Sequence, residues 1–297
     1  MITLRHLKIF VSLYDNKGNM TKTAELCFIA QPAISLALSE LEDNFHVRLF
    51  DRVSRRLYVN EAGTRLYGYA KRILNMFEDM ENGMKNLEMY STLRVGCCDS
   101  MDACGLPKYI SGFTEIHPGV TIRSSVDTSD SLTEKILMNQ LDVAIIDKQP
   151  VSRQLIAQEF VASKLALGIA PSFGYTDGQE ISMEEFVKLP LLLREKGSGT
   201  RQCFDQALAS RGYQVEPLYE SVGTGYAANA ALQGLGVAVL PERMMLGYRR
   251  KKRLVFIKIK DVELEIIYWI IYQSEKELSQ YSKDFIKMCR ELELKNI

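Results

Sequence analysis

At 297 residues the chain is too long for one ordinary hydrophobic core and predicts two or three domains. Its 46% apolar and 25% charged residues give the balance of a globular protein in water. With 37 Lys+Arg against 37 Asp+Glu, no global field is aimed at nucleic acid or membrane, so any basic surface has to be local.

The start, MITLRHLKIF, has neither the apolar run nor the small-residue cleavage site of an export signal. The most apolar stretch, IIYWIIY (Ile266–Tyr272), is too short to cross a bilayer and predicts a buried strand. Six cysteines lie in no metal-ligand spacing. The expectation is a cytoplasmic protein with reduced thiols, no cofactor, no metal and no membrane partner.

In chain order, Leu4, Leu7, Phe10, Val11 and Leu13 form one face of a first helix. Residues Thr21–Leu26 predict a short second helix, capped by Thr21 or Asn19. Pro32 then stands inside AELCFIAQPAISLALSELE (Ala24–Glu42). Proline breaks a helix interior but is free at a helix start, so Pro32 marks a new helix a few residues after the last. That third helix sets Ile34, Leu38, Leu41 and Phe45 on an inward face. Pro32, Leu36, Ser39 and Asp43 lie on the outward line, with Ser35 beside it. RLFDRVSRRLYVN (Arg48–Asn60) has the alternation of a hairpin with an arginine-bearing tip.

From Asn60, a suitable N-cap, the chain runs to Leu87 without proline. Leu66, Tyr69, Ile73, Met76, Met80, Gly83 and Leu87 recur at the spacing of a coiled-coil seam, which predicts a partner helix, with packing on its own domain as the alternative. From Thr92 onward strands alternate with helices: LRVGCCDS, Leu106–Ile116, VTIRSSVD, Leu132–Asn139 and LDVAIID, then ALGIAP, LPLLLRE, Thr200–Arg211, LYESVG, Ala227–Gln233 and GVAVLP. Apolar strands between helices predict parallel α/β sheets. PVSRQLIAQEF and LEIIYWIIY are the expected crossovers between two lobes.

Two short helices joined by CFIA, the second presenting small polar residues outward, have the form of a helix-turn-helix. Such a unit lays the start of its second helix against base edges in the major groove. Arg52, Arg55 and Arg56 of the following hairpin would reach phosphates or the minor groove. A helical hairpin used for protein contacts has the same local form, and DNA selection separates the two.

NMTKTAELCFIAQPAISLALSELEDNFHVRLFDR, followed by NEAGTRL, resembles the DNA-binding region of LysR-type transcriptional regulators. The resemblance spans the whole chain. It implies a winged helix-turn-helix over residues 1–59, a linker and dimerisation helix over 60–89, and a two-lobed α/β effector domain over 90–297, similar to a periplasmic binding protein. Lobe I is expected at about 90–161 and 267–297, and lobe II at about 162–266. Gln31, Pro32 and Ser35 match recognition-helix positions that contact DNA, and Arg52 matches the wing. Leu36 stands where the family often has a basic residue, and either touches a thymine methyl or simply lowers affinity. The resemblance further implies a homodimer through the linker helix and tetramers on promoter DNA, with RNA polymerase as a further candidate partner.

Ligands of open α/β sheets bind at the carboxyl ends of strands. Those positions are Ser100 and Met101, Thr128 and Ser129, and Asp147. In the second lobe they are LREKGSGTR (Leu193–Arg201) and SVGTGY (Ser221–Tyr226), the latter with Thr224. The run Ser198, Gly199, Thr200 leads into a helix, with Arg194, Lys196 and Arg201 around it. It is either an ordinary strand-to-helix turn or a nest of donors for a small anion. The resemblance favours the anion, an organic acid or oxyanion held between the lobes. No catalytic residue is expected: His6, His46 and His117 are remote from these loops in sequence. An enzyme, a small-molecule binding protein without DNA regulation, and a thiol-based sensor using Cys97, Cys98, Cys104 or Cys203 are the alternatives.

Overall fold

In the computed structural model the described residues are 1–53, 56–85, 92–102 and 105–294. Contacts divide the chain into two units, Met1–Met89 with Leu137–Gln140, and Tyr90–Ile136 with Leu141–Ile297.

The first unit is built from α1 (Leu4–Asp15), α2 (Met20–Cys27), α3 (Gln31–Phe45), β1 (Phe50–Val53), β2 (Arg56–Val59) and α4 (Glu61–Lys85). The Asn19 side chain accepts from the Lys22 N–H at 3.0 Å and so starts α2. That helix stops at Phe28, left-handed at φ 54°, and Pro32 lies in the first turn of α3. Ile34, Ala37, Leu38 and Leu41 are buried with Leu7, Phe10, Leu13 and Phe50, which explains the inward spacing.

Phe45 departs from the expectation and is 43% exposed. The helix ends there, with His46 left-handed, and Leu49 and Phe50 of the next turn fill the core instead. The hairpin pairs Phe50 with Val59 and Val53 with Arg56. Asn60 accepts from the Gly63 N–H at 2.9 Å as cap of α4 and donates to the Arg48 carbonyl at 3.0 Å, fixing hairpin to helix. Tyr67 of α4 stacks on Tyr14 of α1 at 3.9 Å.

The second unit begins with β3 (Thr92–Cys98), α5 (Asp99–Asp102), α6 (Leu106–Ile116), β4 (Thr121–Asp127), α7 (Ser129–Leu137) and β5 (Val143–Ile146). It continues through β6 (Leu155–Ile169), β7 (Glu180–Ile181), α8 (Met183–Phe186), β8 (Leu191–Arg194), α9 (Gly199–Ala209), β9 (Tyr219–Ser221) and α10 (Thr224–Leu232). It closes with β10 (Val237–Pro241), α11 (Glu242–Arg250), β11 (Val255–Ile259), β12 (Glu265–Gln273) and α12 (Gln280–Leu294).

The strand order β4-β3-β5-β12-β6-β10-β8-β9 makes two lobes that share β6. Within each lobe the outer strands are parallel, as β3 is to β4 and β5, and β8 to β9 and β10. The sheets are not parallel throughout: β12 runs antiparallel to β5 and β6, and β6 to β10 and β11. These two strands carry the chain between lobes without a helix, so direction must reverse there. The expected separation of PVSRQLIAQEF from ALGIAP is also corrected, since both belong to the single 15-residue β6. The β5, β8 and β10 strands are buried at every position, as strands covered on both faces must be. Among the described residues no single helix is long and apolar enough to cross a membrane.

Candidate DNA-contacting face and effector cleft

On the first unit, burial of Ile34, Ala37, Leu38 and Leu41 turns the other side of α3 outward. Gln31, Pro32, Ser35 and Leu36 are all exposed, Leu36 at 60%. Arg52 and Arg56 are exposed on the hairpin, and Arg55 lies outside the described residues. A cavity of about 600 Å³ runs from Asn19, Met20 and Thr21 at the start of α2 to Gln31, Arg56 and Tyr58. The start of α2 is a feature that sequence reasoning used only as a cap. Its first turn, in which Asn19 caps Lys22, lines the same cavity as Arg56.

The α4 helix carries Tyr69, Ile73, Met76 and Met80 on an exposed line, at 48%, 46%, 63% and 54%. Leu66, expected in the same seam, packs instead on the core of its own unit. Leu87 lies outside the described residues.

In the second unit the expected ligand positions of lobe I converge on Asp147. This buried carboxylate accepts from the Ser100 hydroxyl at 2.9 Å and the Ser129 hydroxyl at 2.7 Å. Thr128 is exposed and accepts from the Ser131 N–H at 3.3 Å, at the start of α7. Met101 is buried, its sulfur 4.0 Å from the Tyr109 hydroxyl, so it serves packing between α5 and α6.

In lobe II the Ser198 hydroxyl caps α9 by accepting from the Arg201 N–H at 3.1 Å. Gly199 has a steric reason: a Cβ there would lie 2.0 Å from the Asp147 carbonyl oxygen. Thr200 is 1% exposed and its hydroxyl has no hydrogen-bond partner. The Arg201 guanidinium is held within lobe II, where it donates to the Arg194 carbonyl at 3.1 Å. It pairs with Asp205 at 2.8 Å and Glu220 at 3.2 Å and lines a separate cavity of about 800 Å³ with Lys196 and Tyr213.

Two cations bridge the lobes here: Lys148 donates to the Gly197 carbonyl at 3.4 Å, and Arg194, only 4% exposed, reaches Asp99 of lobe I. Its guanidinium donates to both Glu195 oxygens, to the Val222 carbonyl, and to Asp99 at 3.0 Å. Burial opposes its charge, but the bond and charge of Glu195, then the charges of Asp99 and Asp147, raise its pKa further. Asp99 also accepts from the Thr224 N–H and hydroxyl, both at 2.7 Å. Asp99 was missed by sequence reasoning, although it is the first residue after β3 and the strand-end rule reaches it.

Among the described residues the candidate thiols Cys97, Cys98 and Cys203 give a sensor no support. Cys97, Cys98 and Cys289 are buried, and Cys104 lies outside the described residues. Cys203 is half-buried, donates to the Glu265 carbonyl at 3.1 Å, and burial raises its pKa, which disfavours the reactive thiolate.

Residues 4–64 match the family model described as bacterial regulatory helix-turn-helix protein, lysR family, and residues 89–293 match LysR substrate binding domain. Among curated proteins the chain is 28% identical over 288 residues to the uncharacterized HTH-type transcriptional regulator YeiE of Escherichia coli K12, covering 97% of each. It is 27% identical over 285 residues to the regulator CfxR of Cupriavidus necator, covering 95% of this chain and 89% of CfxR. Among solved structures, full-length CbnR complexed with its target DNA superposes with a TM-score of 0.72 at 18% identity, covering 98% of this chain and 99% of CbnR. A full-length OxyR variant from Pseudomonas aeruginosa gives 0.70 at 17%, covering 98% of this chain and 95% of OxyR.

Proposed function

This chain belongs to the LysR family and is a DNA-binding transcriptional regulator with an effector-binding domain; from that premise we propose which of its residues read DNA and which hold the effector. The domains are residues 1–59 for DNA binding, 60–89 for linkage and dimerisation, and 90–297 for the effector. Lobe I comprises about 90–161 and 267–297, and lobe II about 162–266.

Gln31, Pro32, Ser35 and Leu36 enter the major groove, while Arg52, Arg55 and Arg56 hold phosphates or the adjacent minor groove. One observation carries this reading. The first turn of α3 is exposed along Gln31, Pro32, Ser35 and Leu36, directly beside a buried face of Ile34, Ala37 and Leu38. A polar, proline-started turn held rigidly by its apolar back is what base reading requires. The solved complex of CbnR with its target DNA shows a chain of this fold on a duplex.

Two copies joined through Tyr69, Ile73, Met76 and Met80 place two such turns on a dyad. The effector is a small anion bound between the lobes, served by Ser100, Thr128, Ser129, the Ser198–Thr200 turn and Thr224. Its binding shifts an equilibrium between arrangements of the protein on DNA.

In-vitro selection of random duplex DNA at fixed, near-physiological salt tests the reading, because phosphate contacts alone give binding that collapses as salt rises. The expected result is an enriched dyad with half-sites about one turn, roughly 34 Å, apart. Ser35→Arg then shifts the selected bases without unfolding the protein. No enrichment, with or without candidate anions, would leave a binding protein whose helix-turn-helix contacts protein.

A further inference from the structure

Lobe II presents two helix starts to lobe I, and each is covered by a lobe I aspartate. Asp147 lies over the start of α9, its carbonyl where a Gly199 Cβ would be. Asp99 lies over the start of α10, where Thr224 is the first helical residue. The Asp99 contact is the more specific. Its Oδ2 alone receives the Thr224 N–H at 2.7 Å, the Thr224 hydroxyl at 2.7 Å and Arg194 Nη1 at 3.0 Å. Thr224 is 1% exposed and Arg194 4%, so both donors are held by the fold rather than by solvent. Asp99 itself is 36% exposed and reaches them from the far side of the cleft.

Three fixed donors converging on one carboxylate oxygen are a built anion site that already contains an anion. A helix dipole, a backbone N–H, a hydroxyl and a guanidinium all favour the same charge. A second polar group in the same lobe awaits a partner: the Thr200 hydroxyl at the start of α9 is buried and unpaired. Buried hydroxyls are nearly always satisfied, and such an exception calls for a cause.

We propose that Asp99 is an internal stand-in for the carboxylate of the effector, and that effector binding proceeds by exchanging one carboxylate for the other at Thr224 and Arg194. This rests on the effector reading above and deepens it in two ways. The effector class narrows from any small anion to a carboxylic acid, because the group it would replace is itself a carboxylate. The exchange also supplies the regulation. While Asp99 holds α10 the lobes are tied together by the chain itself. When a ligand takes its place, the start of α5 is released from lobe II.

Chemical rescue tests this on the full chain. Asp99→Ala empties the site and Asp99→Asn keeps it filled with a neutral group; Asp99→Ser is a second way to empty it should the alanine variant not fold. Thermal unfolding is followed in sodium acetate, sodium sulfate and sodium chloride at equal ionic strength. The expected result is a rise of about 3 °C in acetate over chloride for the emptied variants, and no such rise for the parent or Asp99→Asn. The same acetate response in all chains, or none in the emptied ones, would overturn the proposal. Sulfate acting as well as acetate would overturn the carboxylate class. Loss of the DNA dyad in selection by the parent would instead strike the regulator reading, since the rescue measurement involves no DNA.

Discussion

The Glu42 carboxylate of α3 accepts a 2.8 Å hydrogen bond from the backbone N–H of Leu49, in the turn after the helix. Its other oxygen takes Arg48 at 2.8 Å, and the side chain is 6% exposed. These bonds to a buried side chain tie α3 to the hairpin that follows it. Glu42→Ala leaves the Leu49 N–H unpaired, at a cost of about 1–3 kcal/mol. Faster hydrogen exchange at Leu49, with weaker binding to the selected DNA site, is the expected result. Unchanged exchange would show that the hairpin is positioned by packing alone.

Acid sensitivity of the effector domain should centre on Asp142. Burial raises its pKa, but hydrogen bonds and charge from Arg94, with Lys276 at 3.0 Å, outweigh burial and hold it below the ordinary value. A depressed folded pKa gives stability that is present above the unfolded value, about 3.9, and is lost as pH falls through the folded one. Urea unfolding between pH 6 and pH 3 should therefore show a shallower acid decline in Asp142→Asn than in the parent. Parallel declines would assign the acid limb to other carboxylates.

Gly199→Ala should force apart the contact between lobes. The new Cβ would meet Asp147 backbone at 2.0 Å, and backbone cannot swing aside as a side chain does. The expected cost is about 1–3 kcal/mol, the range for overpacking a close contact. Calorimetry should show a lowered Tm for the effector domain alone, with DNA selection by the first unit retained.

Met76→Glu places a charge in the exposed line of α4 between Ile73 and Met80. If that line pairs two copies, sedimentation should show smaller species, and binding to a two-half-site DNA should weaken by at least about tenfold, the equivalent of 1.4 kcal/mol. Unchanged sedimentation would remove α4 as the seam.

What was legible in the sequence follows the range of the interactions. Pro32, the spacing of Ile34, Leu38 and Leu41, and the Asn60 cap are local signals, and the helices appear where these point. Phe45 failed because spacing cannot say where a helix stops. The β6 strand was read as two pieces because its burial changes along its length, becoming continuous over Leu165–Ile169. Asp99 with Thr224, and Arg201 with Glu220, depend on side-chain directions across a folded sheet. No period in the sequence records these. The loop glycines beside Arg201 in sequence suggest a ligand residue, whereas its partners in space are two carboxylates and the Arg194 carbonyl.

The pairing of β12 with β6, the strand that both lobes share, has a mechanical consequence. β6 and β12 stay in register from Leu155–Gln273 to Lys164–Glu265, with one irregularity between Tyr268 and Trp269. A ladder of that length resists opening, since each step sideways would break backbone bonds. It yields more readily to torsion, and a bulge is where added twist is absorbed most cheaply. The Tyr268–Trp269 irregularity is thus the one place along this pairing where the ribbon can take up extra twist without losing its register elsewhere.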